Sequence, residues 1–406
     1  MILTPWYYTI GNCSETIYFG LLKARRENKK LILLFPFDLP WKFRFPITNK
    51  SLLSVESPYR TLSNKHPLII LARLLLALVY GPMMLLNRIL LKLRGKGLHD
   101  FFVTPHMGLD SLWNPGTKEF SWQEVDKYEW SKQINEPLRV EMPREVHHRI
   151  HVKRSYAMNE FPNTNSLLPY EFVCLHVREG GFYKDYEHIR NCNILNYVPM
   201  IEEIAQPYRW VVRLGDRSMT PLPKMKWVLD YAHSNLKSDA MDIYLIQECE
   251  FYIGTQSGPM DTALLFQKPH VITNMVSWLY QWPQRVKDLG ILKHLHSKKS
   301  MKELSVSEIM SMGWGSQYFN SISTDLHCTE NTPDEILSVV KEFMSYPNKS
   351  QLQTECNLKR VSEGKKVLSQ KIFAKEYDDL DNRYRIASRL ESAQGSLGNE
   401  YLSRHW

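Results

Sequence analysis

The feature that most constrains the fold is an apolar run that ends abruptly in charged residues and glycines. Residues 172–175 are apolar and β-prone, and His176, Arg178 and the pair Gly180-Gly181 follow them. A buried strand that ends in a polar, bendable loop is typical of an open parallel α/β sheet, in which ligands bind at the carboxyl edge of the strands. Arginine suits an anion there because its planar guanidinium grips two phosphate oxygens at once. The alternative interpretation is a surface turn with incidental charges.

A second segment repeats this pattern. Residues 210–212 form an apolar run that ends in Arg213, Gly215 and Asp216. We predict that Arg213 and Gly215 contact a phosphate, and that Asp216 either binds a ribose hydroxyl or caps a turn. In a parallel sheet the carboxyl ends of strands lie on one edge, so this segment is expected to face the same ligand as the first.

A third strand end leads directly into a helix. Apolar residues 251–253 are followed by glycine and hydroxyl residues, and Pro259 stands where a first helical residue is expected. N–H groups at a helix N-terminus donate to anions, and the helix dipole favours a negative charge there. The residues assigned to the ligand in this segment are Thr255, Ser257, Gly258 and Asp261, the last with the alternative role of complementing the helix dipole. Three such strand ends within about 90 residues predict a phosphate-bearing ligand.

Chain length and cysteine content limit the class of protein. A chain of 406 residues is long enough for two or three domains with substantial cores. Its six cysteines show no paired spacing, and the first residues lack the basic and apolar regions of a signal peptide. We therefore expect free thiols, a reducing compartment and a cytoplasmic protein.

Basic residues are concentrated in the first quarter of the chain. Residues 1–100 contain 15 Lys and Arg against 5 Asp and Glu, whereas the rest of the chain contains 36 against 38. A nucleic-acid groove would interleave aromatic residues with basic ones. Here the basic residues flank aliphatic ones, which argues against nucleic acid as a partner.

The aliphatic segment 67–93 lies in this basic region. Its longest stretch without a charged or amide side chain, residues 74–86, has 13 residues, whereas a helix needs about 20 to cross a bilayer. We predict two short helices, broken at Gly81-Pro82, that attach the protein peripherally to the inner face of the membrane. Lipid headgroups would contact Arg73, Arg88, Lys92, Arg94 and Lys96. The alternative is a helical hairpin in the core.

The remaining pattern indicates two open α/β domains in series, with a cleft between them. We place the first domain at residues 1–160, opening with a β-α-β unit, and the second at residues 161–345, joined by a linker near residue 160. Residues 346–406 form a helical tail that is either a solvated appendage or packs back on the first domain. In the second domain, strands are predicted at 171–176, 209–214, 227–231, 250–254 and 270–273, and helices at 195–206, 240–248, 259–267 and 331–345.

These motifs resemble those of GT-B glycosyltransferases, and more narrowly those of a bacterial family assigned to glycosyl transfer in surface-polysaccharide loci. The matching motifs are His176-Val-Arg178, Arg190-Asn191 with Tyr197, Arg213-Leu-Gly-Asp216, Asp242-Ile-Tyr-Leu245 and Cys249-Glu-Phe-Tyr-Ile-Gly-Thr-Gln-Ser-Gly258. The resemblance covers residues 170–275 well and residues 1–40 loosely. The His-x-Arg element is also distantly similar to that of the nodulation and protein O-fucosyltransferases.

The resemblance implies a fold and an activity. The expected fold is GT-B-like, with two Rossmann-type domains facing a cleft and a helical C-terminal tail, and the expected substrate is a nucleotide-sugar. By resemblance Arg178 contacts the β-phosphate of the donor. In the fucosyltransferase pattern an acidic residue follows the arginine, and both Glu179 and Asp185 stand in that region here.

We expect neither a metal nor a cofactor in the reaction. The leaving diphosphate would be stabilised by cations and helix N-termini, and no Asp-x-Asp motif stands on a strand-end loop. The carboxylates of the tail, Asp378, Asp379 and Asp381, are interpreted as solvated helix charge. Histidines 147, 148, 294 and 296 lack partner ligands at the usual spacing, so we predict that they lie on the surface.

Two further roles are assigned to single residues. His176 is either a satisfied strand-end histidine or a catalytic residue that orients Arg178 and contacts the phosphate. An inverting transferase also needs a base for the acceptor hydroxyl, and the candidates in order are Glu15, His106 and Asp110.

The leading hypothesis is therefore a metal-independent glycosyltransferase at the cytoplasmic membrane face. It would move a sugar from a nucleotide-sugar to a lipid-linked or other glycan acceptor in surface-polysaccharide biosynthesis. The alternatives are a sugar-nucleotide epimerase of similar architecture and a non-catalytic binding module of a polysaccharide-assembly complex.

Overall fold

A computed structural model of the chain describes residues 2–3, 5, 9–35, 49–57, 61–62, 66–94, 121–123, 125, 139–140, 172–182, 184–315, 325–345, 348–370 and 380–406. The linker predicted near residue 160 lies outside the described residues. The division of the chain at residues 160 and 345 stays a prediction.

The chain begins with a β-α-β unit, as predicted. Strand β1 (Ile2–Leu3) pairs in parallel with β2 (Ile32–Leu33), and helix α1 (Ile10–Arg26) connects them. A second small pairing joins β3 (Val55–Glu56) and β4 (Arg139–Val140) in antiparallel orientation.

Residues 67–94 form one helix, α2 (Pro67–Arg94), and not the two predicted helices. Proline inside a helix removes one backbone hydrogen bond and costs about 3 kcal/mol, which is why a break was expected at Pro82. The long aliphatic run on both sides keeps the backbone helical through that position. In the described part of the chain, no helix combines the length and apolar character needed to cross a bilayer.

The largest sheet among the described residues has seven parallel strands. They are β5 (Phe172–His176), β6 (Trp210–Arg213), β7 (Val228–Asp230), β8 (Tyr252–Gly254), β9 (His270–Met275), β10 (Leu289–Leu292) and β14 (Ser396–Leu397). Strands β5 to β9 fall at the five predicted positions, so the α/β class is confirmed. Strand β14 has only two residues, which is too short for a period-2 pattern to reveal.

Helices flank this sheet, and a small antiparallel sheet lies beyond it. The helices are α3 (Val198–Ile204), α4 (Asp239–Glu248), α5 (Gly258–Leu265), α6 (Val306–Ser311), α7 (Pro333–Ser345), α8 (Gln351–Ser369), α9 (Leu380–Ser392) and α10 (Asn399–His405). The small sheet contains β11 (His294–Ser297), β12 (Glu303–Leu304) and β13 (Leu326–Thr329), in the order β12-β11-β13. The predicted helices after residues 195, 240, 259 and 331 correspond to α3, α4, α5 and α7.

The strand order of the large sheet fixes where a ligand can bind. The order is β14-β10-β9-β8-β5-β6-β7, so the chain first runs outward from β5 to β7 and then returns to place β8 on the other side of β5. Ligands of open α/β sheets bind outside the carboxyl ends of the strands where the order reverses. In this protein that point lies between the ends of β5 and β8.

The first unit packs directly on the second next to this point. A side-chain carbon added at Gly11 of α1 would lie 2.6 Å from the Cα of Gly258 in α5, so the two helices touch through their glycines. The hydroxyls of Ser14 and Thr262 are 2.9 Å apart across the same contact. The tight approach brings the N-terminus of α1 to the edge of the large sheet.

The C-terminal residues contact both the large sheet and the first β-α-β unit. Strand β14 extends the large sheet at its edge, where Ser396 pairs with Leu289 of β10. Helix α9 reaches the first unit, because Arg389 forms an ion pair of 2.6 Å with Glu15 of α1. Of the two alternatives drawn from the sequence, the solvated appendage is therefore wrong for this part of the tail. All six cysteines are free thiols, as expected.

Candidate functional site

A cavity of about 540 Å³ lies at the switch point between β5 and β8. Its walls come from the loops after β5, β6 and β8, from the first turn of α1, and from α4, α5 and α9. The basic side chains that line it are Arg178, Arg190, Lys237 and Arg389. The acidic side chains that line it are Glu15, Glu179, Asp185, Asp216, Asp239, Asp242 and Asp261.

Hydrogen bonds lock the loops after β5 and β8 to each other. The N–H of Thr255 donates to the carbonyl of His176 at 3.1 Å, and the N–H of Arg178 donates to the Thr255 hydroxyl at 3.0 Å. The Ser257 hydroxyl lies 3.0 Å from Nδ1 of His176. Thr255 therefore supports the site from behind and does not line the cavity, whereas Ser257 and His176 do.

Arg178 lies at the cavity wall, and its predicted contact with a phosphate stays a prediction. One arm of its guanidinium donates to Asn191 and the other to the Asp185 carboxylate. Asn191 is itself fixed, since its amide donates to the carbonyls of Asp185 and Tyr186. Asp185 is thus the acidic partner of Arg178, and Glu179 serves a different arginine.

That arginine is Arg213, which the structure does not place at the cavity. Its side chain is fully buried, and its guanidinium donates to Asp230 at 3.2 Å and to Glu179 at 3.0 Å. The physical reason is position: Arg213 is the last residue of β6 and is paired in register with Leu175, so it lies on a covered face of the sheet. The prediction that Arg213 contacts a phosphate is therefore wrong for this structure.

Two helix N-termini open into the cavity. Residues Thr9 to Asn12 of α1 and Ser257 to Pro259 of α5 line it. Within the described residues, no side chain caps either helix. The first N–H groups of a helix have no partner inside the helix, and the positive end of its dipole favours an anion. The two ends together form a surface suited to phosphate oxygens.

The environment of His176 keeps its imidazole neutral. Burial, together with the charges of Arg213 and Lys237, lowers the pKa of His176 to about 3. The negative charge of Asp216 raises this pKa, but by less than burial and the positive charges lower it. A neutral imidazole can exchange hydrogen bonds with a ligand, but it adds no positive charge to an anion site.

Glu15 lies in the cavity wall on the side of the first unit. Its carboxylate is paired with Arg389, which also donates to the Tyr280 carbonyl at 3.0 Å. Arg389 therefore orients the Glu15 carboxylate from the opposite end of the chain. A sequence separation of more than 370 residues left no local signal for this pair.

The sequence assigned no individual role to several further charged residues of the cavity. Lys237 donates to Asp242 at 2.8 Å and lies over the Tyr231 ring, and the backbone N–H of Lys50 donates to Asp239 at 3.3 Å. Arg190 reaches the Gln256 carbonyl at 3.4 Å. Lys237 and Asp239 stand between predicted elements, where sequence patterns assign no function.

Three other predicted residues lie at the cavity. Gly215 has a positive φ of 148°, and a side chain there would strike the Met219 sulfur at 2.3 Å, so only glycine fits this turn. Asp216 accepts from the N–H of Ser218 at 2.8 Å, which is the turn-capping alternative. Asp261 accepts from the Gln281 amide at 3.2 Å.

The cavity carries more acidic than basic side chains. Among the described residues, seven carboxylates and four basic side chains line it. Arg178, Lys237 and Arg389 each contact a carboxylate of the protein. An anionic ligand must therefore compete with these carboxylates for the cations.

His294 is buried, so its predicted surface position is wrong. Its two ring nitrogens contact Glu303 and Glu335, and His405 contacts the same two glutamates. The sequence hid this cluster because its members come from four separate elements. Residues His106, Asp110, His147, His148, Asp378 and Asp379 lie outside the described residues.

Comparison with known proteins gives little further information. No protein-family model matches this chain, and no curated protein sequence matches it. Among solved structures the chain is similar to the crystal structure of the glycosyl transferase family 9 protein from Veillonella parvula DSM 2008, with a TM-score of 0.35 and 10% identity. The match covers 67% of this chain and 79% of that chain. A similarity this distant identifies neither a ligand nor a reaction.

Proposed function

We propose that the protein transfers a sugar from a nucleotide-sugar donor to a glycan acceptor, and that the donor diphosphate binds at the switch point. One observation carries the proposal: Arg178 and the N-termini of α1 and α5 converge on a single cavity. Negative charge builds on the β-phosphate as the glycosidic bond breaks. A guanidinium and two helix N-termini are groups that stabilise such charge without a metal.

Binding of the diphosphate exchanges one partner of Arg178. The Asp185 carboxylate that now holds the guanidinium is 31% exposed, so it can turn toward water when a phosphate arrives. The guanidinium would keep its bond to Asn191 and offer the freed arm to the ligand. The guanidinium stays paired with an anion throughout, because a phosphate takes the place of the Asp185 carboxylate.

Glu15 is our candidate for the base that accepts the proton of the acceptor hydroxyl. It lies across the cavity from the loop of Arg178, on the side contributed by the first unit. In this arrangement Arg389 is a positioning residue, since it contacts the Glu15 carboxylate and the backbone of residue 280. The donor would then lie against the second unit and the acceptor against the first.

We propose that the acceptor is lipid-linked, because α2 has an unusual apolar face. Exposed aliphatic side chains occur along its whole length and cover one broad side of the helix. They are Leu68, Ile70, Leu71, Leu74, Leu75, Leu78, Leu86, Ile89 and Leu93, and their exposed fractions run from 38% to 76%. Such a stripe is unfavourable in water and suits the headgroup boundary of a membrane.

One expected headgroup contact is not supported. Arg73 donates to the Phe35 carbonyl at 3.0 Å, so it holds α2 to the first unit instead of facing lipid. Ile69, next to it on the inner side, is buried. The inner face of α2 is thus anchored, and the leucine stripe is the face left for a membrane surface.

Vesicle binding tests the membrane part of the proposal. The double variant Leu75→Glu with Leu86→Glu should reduce co-sedimentation with anionic phospholipid vesicles at least tenfold. Each substitution removes a leucine whose burial in the membrane would contribute about 1.5–3 kcal/mol. Leu358→Glu, at an exposed leucine of α8, is the matched control and should bind as the wild type does. If the wild-type protein does not sediment with vesicles, the membrane part of the proposal is wrong.

A ligand panel tests the activity. Nucleoside diphosphates and their sugars are screened by thermal shift, since a ligand at 100 times its Kd stabilises the folded state by about 2.7 kcal/mol. We expect one nucleotide class to raise Tm, and the Arg178→Ala variant to lose that rise. If no member of the panel stabilises the protein, the donor site is refuted.

The best ligand is then incubated with and without an acceptor extract. Transfer requires the acceptor, whereas an epimerase converts the nucleotide-sugar alone. Turnover by the transferase should stay within twofold after chelator treatment at 25 °C. A loss that added magnesium restores would show that a metal takes part in the reaction.

A further inference from the structure

Four side chains from four elements form a closed ring near the N-terminus of α7. His294 begins β11, Glu303 begins β12, Glu335 lies in the first turn of α7, and His405 ends α10. Nε2 of His294 is 2.9 Å from Glu335, and Nε2 of His405 is 2.7 Å from the other oxygen of the same carboxylate. Nδ1 of His294 and Nδ1 of His405 lie 2.7 and 3.0 Å from one oxygen of Glu303.

The ring has two distinct sides. Both imidazoles turn Nε2 toward Glu335 and Nδ1 toward Glu303, so one carboxylate stands between the Nε2 atoms and the other stands behind the rings. A carboxylate behind a metal-binding histidine is a common arrangement, because it fixes the tautomer and the orientation of the ring. Glu335 is held in turn by the N–H of Thr332 at 2.8 Å. The ligand atoms of His294, Glu335 and His405 all lie within 4.8 Å of one another.

We propose that His294, Glu335 and His405 bind a divalent cation of the zinc type, with Glu303 orienting the two imidazoles. Two imidazole nitrogens and a carboxylate oxygen are a ligand set that zinc accepts in a tetrahedral site, leaving a fourth position for water. Zinc bonds of about 2.0–2.2 Å place tetrahedral ligand atoms roughly 3.3–3.6 Å apart, so the two nitrogen–oxygen pairs, now 2.9 and 2.7 Å apart, must open slightly to admit the ion.

Without the ion the four side chains satisfy one another as ion pairs. Binding replaces the protons on the two Nε2 atoms, so it releases protons and ties α10 to α7 and β11. Among the described residues that line the cavity, none belongs to this ring, so the inference stands independently of the proposed transferase.

The experiment uses the full chain with its purification tag removed, stripped of metal by a chelator and dialysed. Zinc binding is followed by calorimetry, by elemental analysis and by the change of Tm on adding zinc. We expect one zinc per chain and a rise in Tm for the wild-type protein. Glu303→Gln should weaken the affinity about 10–100-fold, as loss of an orienting carboxylate does.

The controls separate a metal site from a ring of ion pairs. His405→Gln removes a ligand and should abolish the zinc-dependent rise in Tm, and Glu335→Gln serves if that variant does not fold. His327→Ala, at an exposed histidine of β13, should respond to zinc as the wild type does. The proposal is overturned if the wild-type Tm is insensitive to zinc, or if His405→Gln gains as much from zinc as the wild-type protein.

Discussion

Arg178 and Arg213 stand at the ends of neighbouring strands with similar sequences, yet their side chains lie in different environments. Arg178 comes two residues after β5, in a loop beyond the edge of the sheet, and its guanidinium lines the cavity. Arg213 is the last residue inside β6, and its guanidinium is buried against two carboxylates and the Thr220 carbonyl. A difference of two positions relative to the strand end separates an arginine at the cavity wall from one buried within the sheet.

Arg213, although buried, holds in place part of the cavity wall near Arg178. Glu179, its partner, also accepts from the N–H and hydroxyl of Thr220, at 2.8 and 2.7 Å. Asp230, the second partner, accepts from the N–H of Leu222 at 2.9 Å. Arg213 thus fixes the loop after β6, which carries Gly215 and Asp216 to the cavity.

The largest expected effect is on stability, at Arg213. Arg213→Ala leaves two carboxylates without their cation inside the protein, and breaking a buried pair in this way costs about 3–5 kcal/mol. Urea unfolding at pH 7 measures the loss. Arg217→Ala, at an exposed arginine of the same loop, should change the free energy of unfolding by less than about 0.5 kcal/mol. Equal losses in the two variants would contradict the structural role.

The next effect is on turnover, at Arg178. Arg178→Ala should lower kcat/KM about 10²–10³-fold, the usual cost of removing one group that stabilises developing charge. Its free energy of unfolding should fall far less than that of Arg213→Ala, since its partner Asp185 is partly in water. Arg178→Lys keeps the charge but loses the two-armed grip, so it should recover part of the activity.

Asp185→Asn sharpens this prediction. The substitution removes the carboxylate that competes with a diphosphate for Arg178, so the nucleoside diphosphate should bind several-fold more tightly. Calorimetry with the best ligand of the panel measures the change. Weaker binding by Asp185→Asn would mean that the carboxylate positions Arg178 and does not compete with the ligand.

Sequence patterns predicted the parts of this molecule that depend on local chemistry. Strands β5 to β9 are apolar runs that are followed by polar loops. Arg178, Ser257 and Gly258 stand in the loops after β5 and β8, and that position was enough to predict that they lie at the edge of the sheet. Side-chain direction is not local: the run before Arg213 looks the same as the run before His176, and only the register between β5 and β6 shows that Arg213 is covered.

Long-range pairs were equally hidden. Glu15 of α1 pairs with Arg389 of α9 across more than 370 residues of sequence, and neither segment carries a local signature of that contact. The ring at His294 required β11, β12, α7 and α10 to meet. Helix α2 was misread at Pro82 because the usual cost of proline inside a helix was given more weight than the aliphatic run around it.

A separate effect, on the pH dependence of stability, is predicted at His176, whose pKa the charges of both arginines lower. Burial first, and then the charges of Arg213, Lys237 and Arg178, lower the pKa of its folded form to about 3, below the unfolded value near 6.5. Between these pH values the imidazole binds a proton in the unfolded chain but not in the folded protein. The free energy of unfolding therefore falls as the pH falls, by about 1.4 kcal/mol per pH unit.

The variant His176→Asn has no imidazole to bind this proton and should not show that part of the decline. Urea unfolding of both proteins at pH 7 and pH 5 measures it: the wild type should lose roughly 2 kcal/mol more than the variant. Parallel losses would show that His176 is not held neutral beside the two arginines, and would weaken the contrast between them.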